Sequence, residues 1–225
     1  MTESAPTDSS TDPYEQFARI GKALASARRV QLLDLLCQAE RSVEALAQTA
    51  GMSVTNTSQH LQVLRAAHLV QARREGTRVL YRVADDAVCR FFLELRELAR
   101  GRLAEVDRLT HRYLDDGLEP MGREELLARM ERGAVVLVDV RPAEEYAAGH
   151  IPGAVSVPLG LVEELLETLP ADAEVVAYCR GRYCRLAPQA LEILRAHGLR
   201  SRRLVDGFPE WRLAGLPVAV GAAEP

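Results

Sequence analysis

The polar and apolar positions of this chain change their rhythm once, near the middle. From Tyr14 to Cys37 the residues Phe17, Ile20, Leu24, Val30, Leu33 and Leu36 recur at helical spacing, which predicts two helices. Ser42 caps a third, S-V-E-A-L-A-Q-T-A, with Glu40 and Glu44 near its positive end, and Gly51 stops it. Ser53 caps a fourth, V-T-N-T-S-Q-H-L-Q-V-L-R-A-A, with Val54, Leu61 and Leu64 expected to face the core. Helix, glycine-containing turn, helix is the helix-turn-helix pattern. In L-V-Q-A-R-R-E-G-T-R-V-L-Y-R-V two short β-type runs flank Glu75-Gly76, the signal of a hairpin, and a hairpin after a helix-turn-helix makes a winged helix. Asp85 or Asp86 then caps a long helix reaching about Tyr113, with Phe91, Leu95, Leu98, Leu103, Val106 and Leu109 as its apolar stripe. Such a helix has little of its own domain to bury against, so the stripe predicts a homodimer.

Beyond D-D-G-L-E-P, which reads as a linker, the apolar residues bunch. V-V-L-V-D-V and E-V-V-A-Y-C are continuous runs, as expected of strands covered on both faces. The amphipathic stretches E-E-L-L-A-R-M, L-V-E-E-L-L-E-T-L and L-A-P-Q-A-L-E-I-L-R-A-H alternate with them, and that alternation predicts a parallel α/β sheet. The expected organisation is a disordered tail over 1–13, a mainly-α winged helix-turn-helix (α+β) over 14–84, a dimerisation helix over 85–113, a linker over 114–120, and an α/β domain with a central parallel sheet over 121–222.

The length of 225 residues suits two domains, and 48% hydrophobic with 27% charged residues is the balance of a globular protein. No apolar run is long enough to span a bilayer, and the polar, acidic N-terminus carries no secretory signal, so a cytoplasmic protein without a membrane partner is expected. Four cysteines are too few for a disulfide scaffold, so any functional one is catalytic, redox-active or metal-binding. The net charge of −4 hides an asymmetry. Residues 14–84 hold 10 Lys and Arg against 5 Asp and Glu, while residues 114–225 hold 12 against 18. A basic front and an acidic back suggest different partners, double-stranded DNA for the first.

The second helix of a helix-turn-helix enters the major groove N-terminal end first. Thr55, Asn56, Ser58 and Gln59 are the candidates there, and Asn or Gln can pair bidentately with adenine. Arg73, Arg74 and Arg78 on the hairpin are candidates for phosphate or minor-groove contacts. The run from Ser42 to Val70, followed by R-R-E-G-T-R-V-L-Y-R-V, resembles the ArsR/SmtB transcriptional repressors. The resemblance implies a homodimeric winged-helix repressor that leaves its operator when an inducer arrives. Many members sense metals, and a metal-responsive repressor is one alternative. The family's thiolate site, however, needs a Cys-x-Cys pair where this chain has Ser42-Val43-Glu44, and on the last helix only Asp107 and His111 share a face. No metal or cofactor is expected. Cys37 and Cys89 read as small buried hydrophobes.

Residues 178–185 read Y-C-R-G-R-Y-C-R, between a strand and a helix. Backbone N–H groups of the loop, the positive end of the following helix and the charges of Arg180, Arg182 and Arg185 all favour a thiolate on Cys179. The loop resembles that of the rhodanese (sulfurtransferase) domain. So do Asp139-Val140-Arg141, Y-A-A-G-H-I-P-G-A at 146–154 and V-D-G-F-P-E-W-R-L-A-G-L-P-V at 205–218. The resemblance covers about residues 121–220. It implies sulfurtransferase activity in which Cys179 accepts sulfane sulfur from a donor such as thiosulfate or polysulfide, with Asp139 and Arg141 shaping the site. His150 reads as a hydrogen-bonded structural residue. Two departures open further readings. Cys184 can attack a persulfide on Cys179 and leave a loop disulfide. Cys179 and Arg185 make Cys-x(5)-Arg, which resembles the rhodanese-related phosphatases and arsenate reductases, where the arginine clamps an oxyanion.

Overall fold

The computed structural model describes residues 12–114, 120–166, 168–170 and 173–222, with the side chains of 110–114 excepted. Residues 1–11 of the expected tail, and the expected linker but for Leu114 and Pro120, lie outside the described residues. The chain divides into two compact units, Met1–Cys89 and Arg90–Pro225.

The first unit holds α1 (Pro13–Leu24), α2 (Ala27–Gln38), β1 (Arg41–Ser42), α3 (Val43–Ala50), α4 (Val54–Ala66), β2 (Val70–Glu75), β3 (Arg78–Val83) and the start of α5 (Asp86–Arg102). Its caps are those the polar positions predict. Asp12 accepts from the Tyr14 amide at 2.9 Å, Ser42 from Ala45 at 3.2 Å, Ser53 from Asn56 at 3.2 Å and Asp85 from Ala87 at 2.9 Å. Gly51 closes α3 in the left-handed region, with φ of 62°, where a side chain would be strained. The strands form an antiparallel sheet in the order β1-β3-β2. Glu75 pairs with Arg78, so the hairpin turns on Gly76-Thr77, one residue later than the pattern suggests.

Helix α4 corrects one inward position. Leu61 and Leu64 are buried, but Val54 is 48% exposed and Thr57 takes the buried place instead. Thr57 belongs there because its hydroxyl donates to the Ser53 carbonyl at 2.9 Å, which satisfies the one polar group it carries inward. The first unit's core is Leu32, Leu33, Leu35, Leu36, Leu46, Leu61, Leu64 and Tyr81, joined by both Cys37 and Cys89.

The second unit continues α5 and adds α6 (Ala104–Leu114), α7 (Arg123–Met130), β4 (Val136–Asp139), α8 (Ala143–Ala148), β5 (Val155–Ser156), α9 (Val162–Leu166), β6 (Glu174–Tyr178), α10 (Leu186–Ala196), β7 (Arg200–Arg203) and α11 (Phe208–Leu213). The single long helix expected over 85–113 is therefore two, broken at Leu103. Gly101, a poor helix former, stands two residues before the break. Four strands make a wholly parallel sheet in the order β5-β4-β6-β7.

Successive residues of β6 serve opposite layers, which is why the strand reads as an unbroken apolar run. Val175, Ala177 and then Cys179 join Ala187, Ala190, Leu191 and Leu194 of α10. Val176 and Tyr178 join Met121, Leu126, Tyr146, Ile151, Phe208 and Trp211 on the other face. The alternation aims Cys179, one residue past the strand, at the start of α10. Among the described residues no helix is long and apolar enough to cross a membrane.

Replacing Ser53 by Ala removes the side-chain acceptor from the start of α4 and should lower the first unit's stability by about 0.5–2 kcal/mol, whereas Asp at that position should keep most of it. Denaturant titration of both variants followed by circular dichroism is the check.

Candidate functional site

Two regions gather the residues that the sequence singles out, and each is confined to one unit. In the first, the start of α4 presents Thr55, Asn56 and Gln59 fully to solvent, with Ser58 half-buried. Ser58, Gln62, Arg65, Arg73, Arg74, Val79 and Tyr81 line one groove between α4 and the hairpin. Gln62 and Arg65 escaped the sequence reading, although they follow Ser58 at i+4 and i+7 and so share its helix face. The three hairpin arginines are not equivalent. Arg73 is held by Glu40 at 2.6 Å and by Glu75 at 3.2 Å, and those carboxylates push its pKa up. Arg74 and Arg78 are exposed on the same hairpin. Arg78 is near enough to help lower the pKa of Glu44, whose larger causes are hydrogen bonds from its own backbone and from Ser42.

In the second unit the loop after β6 folds back on itself. Gly181 has φ of 125°, a conformation few L side chains adopt, and its carbonyl accepts from the Cys184 amide at 3.0 Å. This turn brings the two thiols together. The Cys179 sulfur lies 3.8 Å from the carbonyl oxygens of both Gly181 and Cys184, close enough for the two thiols to perturb each other's ionisation. Amides of Gly181 and Ala187 point at the Cys179 sulfur, and those of Leu186 and Arg180 at the Cys184 sulfur.

The order in which the thiols lose their protons reverses the expectation. Burial pushes the Cys179 thiol well up, and its amide hydrogen bonds only partly oppose this. The neighbouring Cys179 thiol, helped by the two amides and the Arg180 charge, brings Cys184 down to about 7 despite its burial. The physical reason is that the deeper thiol loses more hydration and so keeps its proton longer.

The three arginines of the loop also divide. Arg180 is clamped by the fully buried Glu145 of α8 at 2.6 Å. Arg182 is half-buried, and Arg185 is exposed at the N-cap of α10. Asp139 and Arg141 form an ion pair at 2.6 Å with both side chains fully buried. Arg141 also donates to the Gly149 carbonyl at 2.7 Å and lies over the Phe208 ring at 4.3 Å. His150 is tied in the same way: its Nδ1 is 2.9 Å from the Tyr146 carbonyl, and its ring stacks on Tyr146 at 3.6 Å.

The sequence motif near the chain's end supports the loop from behind. The Phe208 amide donates to the Cys179 carbonyl at 3.1 Å. A Cβ on Gly207 would collide with the backbone of Arg180 and Gly181, so only glycine fits there. Glu210 accepts from the Gly207 amide at 3.1 Å. Glu145, Gly207 and Glu210 are site residues that sequence reasoning missed. A buried carboxylate 35 residues from its arginine leaves no local signal.

The comparisons with known proteins divide along the same line. The family model "Bacterial regulatory protein, arsR family" matches residues 26–72, and the model "Rhodanese-like domain" matches residues 122–214. An HTH-type transcriptional regulator of Mycobacterium tuberculosis is 51% identical over 208 residues, which cover 92% of each chain. A sulfurtransferase of Allochromatium vinosum is 34% identical over 84 residues, 37% of this chain and 78% of that one. Among solved structures, the homodimeric winged helix-turn-helix DNA-binding domain of a possible ArsR-family regulator from Mycobacterium bovis is 46% identical. That match covers 45% of this chain and 94% of that one, with a TM-score of 0.40.

A brief iodoacetamide pulse on the reduced protein should label Cys184 first, with a midpoint near pH 7. Cys37 and Cys89, both buried, should stay unlabelled. Peptide mapping across the neutral range reads this, and a first adduct on Cys37 or Cys89 contradicts the proton order in the loop.

Proposed function

We propose, for a chain that belongs to the ArsR family of bacterial transcriptional regulators and carries a C-terminal rhodanese-like domain, that Cys179 takes up sulfane sulfur and that this uptake weakens DNA binding. The observation that carries the reading is that one tight turn holds both cysteines, with the Cys179 sulfur 3.8 Å from the Cys184 carbonyl oxygen and the Cys184 amide bonded to the Gly181 carbonyl at 3.0 Å. A single cradled thiol suits several chemistries. Two in one turn suit the making and breaking of S–S bonds.

The steps balance as follows. The Cys179 thiolate attacks the outer sulfur of thiosulfate, or an internal sulfur of polysulfide. The donor's S–S bond breaks, and sulfite or a shorter polysulfide leaves with the electron pair. Cys179 then carries a persulfide. The Cys184 thiolate attacks its inner sulfur, forming the Cys179–Cys184 disulfide and expelling hydrosulfide. The donor is reduced and the thiol pair oxidised, with no other oxidant. Amides of Gly181 and Ala187 stabilise negative charge at Cys179, and Arg180, fixed by Glu145, favours the attacking thiolate at Cys184.

On the DNA side, Thr55, Asn56, Ser58 and Gln59 read base edges, and Arg74 and Arg78 contact phosphates; Arg73 does so only by giving up Glu40. Phe91, Leu98, Leu103 and Leu109 are each about half exposed in the single chain, as a homodimer face would be.

Asn56→Ala and Gln59→Ala should each cost about 1–3 kcal/mol on specific DNA, while Arg74→Ala should weaken all sequences alike and flatten the salt dependence. Fluorescence anisotropy on specific and random duplexes separates the two, and equal losses on both for Asn56→Ala would remove its base-reading role.

Polysulfide should leave a Cys179–Cys184 linkage in the wild type together with weaker DNA binding. Cys179→Ser should abolish both. Cys184→Ser should keep a persulfide on Cys179 but lose most of the DNA response. If Cys179→Ser still releases DNA while thiosulfate turnover disappears, the domain is a sulfurtransferase without a sensing role. If Cys184→Ser responds normally and Arg185→Ala abolishes an arsenate- or phosphate-dependent activity, oxyanion chemistry replaces the sulfur reading.

A further inference from the structure

Arg96 of α5 lies outside both family matches, yet within the second unit it meets the reactive loop at two points. Its guanidinium sits 4.7 Å from the centre of the Tyr183 ring, directly before Cys184 in sequence. One of its nitrogens is 3.4 Å from a carboxylate oxygen of Glu210. That carboxylate accepts from the Gly207 amide at 3.1 Å, and a Cβ on Gly181 would approach it to 2.9 Å. Arg96 also stands 5.6 Å from the Phe92 ring of its own helix. The side chain is 13% exposed.

We propose that Arg96 is a positioning residue for the thiol pair: by stacking on Tyr183 and pairing with Glu210 it holds the 179–184 turn in the shape that keeps the two thiols close together. This rests on the reading that the turn is the reactive site, and it adds a residue that no motif of either family match contains.

Three arguments support the assignment. A guanidinium over an aromatic face and shielded from water contributes more than an exposed one, so the contact is strong enough to help fix a short loop. Glu210 is partly buried, the loss of water around it raises its pKa, and Arg96 is the nearby positive charge that opposes the rise. Without Arg96 the carboxylate beside Gly181 stands without that compensation, and the turn behind it relaxes. Finally, Tyr183 lies inside the segment that must move if Cys179 and Cys184 close a disulfide. The same contact that sets the thiol geometry is therefore disturbed by disulfide formation, and Arg96 carries that disturbance into α5. Linkage makes the two effects reciprocal. Helix α5 starts at Asp86 and runs to Arg102, past the division between the units at Cys89.

The test uses reduced full-length protein and the pH profile of iodoacetamide labelling at Cys184. In Arg96→Ala the midpoint should rise by about one unit from about 7, making labelling at pH 7 roughly fivefold slower. Arg96→Lys keeps the charge opposite Glu210 and loses only the planar stack, so its profile should fall between the two. Emission from Trp211, buried in the second unit and the only tryptophan, reports whether each variant is folded. If Arg96→Ala unfolds, Arg96→Lys and Tyr183→Leu, which removes the stacking partner, carry the test, and both should show the raised midpoint. An unchanged profile in folded Arg96→Ala, or in both substitutes, overturns the assignment. The profile needs no sulfur donor, so it stands apart from the sulfur reading, whose own failure is the absence of a persulfide or loop linkage in the polysulfide-treated wild type.

Discussion

A guanidinium buried without access to water organises the sulfur-bearing unit. Arg141 has no exposed surface, so its charge must be met inside, and it is met by Asp139, by the Gly149 carbonyl and by the faces of Phe208 and Tyr178. Each partner lies on a different piece of chain: the end of β4, the Gly-His-Ile-Pro loop, the start of α11 and the end of β6. Removing one partner of such a pair leaves an uncompensated buried charge, a loss of about 3–5 kcal/mol. Segments far apart in sequence are thereby held in a single arrangement. The Phe208 that covers Arg141 also gives its amide to the Cys179 carbonyl. The position of the reactive sulfur is thus set by an ion pair that takes no part in its chemistry.

On that frame the loop has little freedom left. Gly181 turns it, Gly207 presses against its backbone where no side chain fits, and Glu145 fixes Arg180 from the opposite side. What remains adjustable is the protonation of the two sulfurs. A thiol pair in which the shallower member loses its proton near neutrality changes state under mild conditions, which is what the proposed sulfur response requires.

The class of both units and most of their elements were legible because they depend on local rules. The change from helical spacing to continuous apolar runs marks the passage from a mainly-α unit to a doubly covered parallel sheet, and polar caps mark the helix starts at Ser42, Ser53 and Asp85. Three features were not legible, each for a physical reason. Val54 is apolar yet exposed, because the buried place on that face went to Thr57, whose hydroxyl found a carbonyl one turn back. The long helix breaks at Leu103, where the apolar stripe continues across the gap and hides it. The proton order in the loop depends on which sulfur lies deeper, and that depth is set by tertiary packing that no local pattern announces.

We propose that sulfur chemistry at the Cys179–Cys184 pair controls DNA binding. The most direct measurement titrates reduced wild-type protein with polysulfide and follows two signals on one sample: anisotropy of a labelled duplex selected for binding, and mass spectrometry of the peptides carrying the two cysteines. The prediction is that loss of DNA binding and appearance of the Cys179–Cys184 linkage follow the same curve, and that a thiol reductant reverses both together. Full conversion of the pair with DNA binding unchanged would contradict the account, as would DNA release while both thiols remain free.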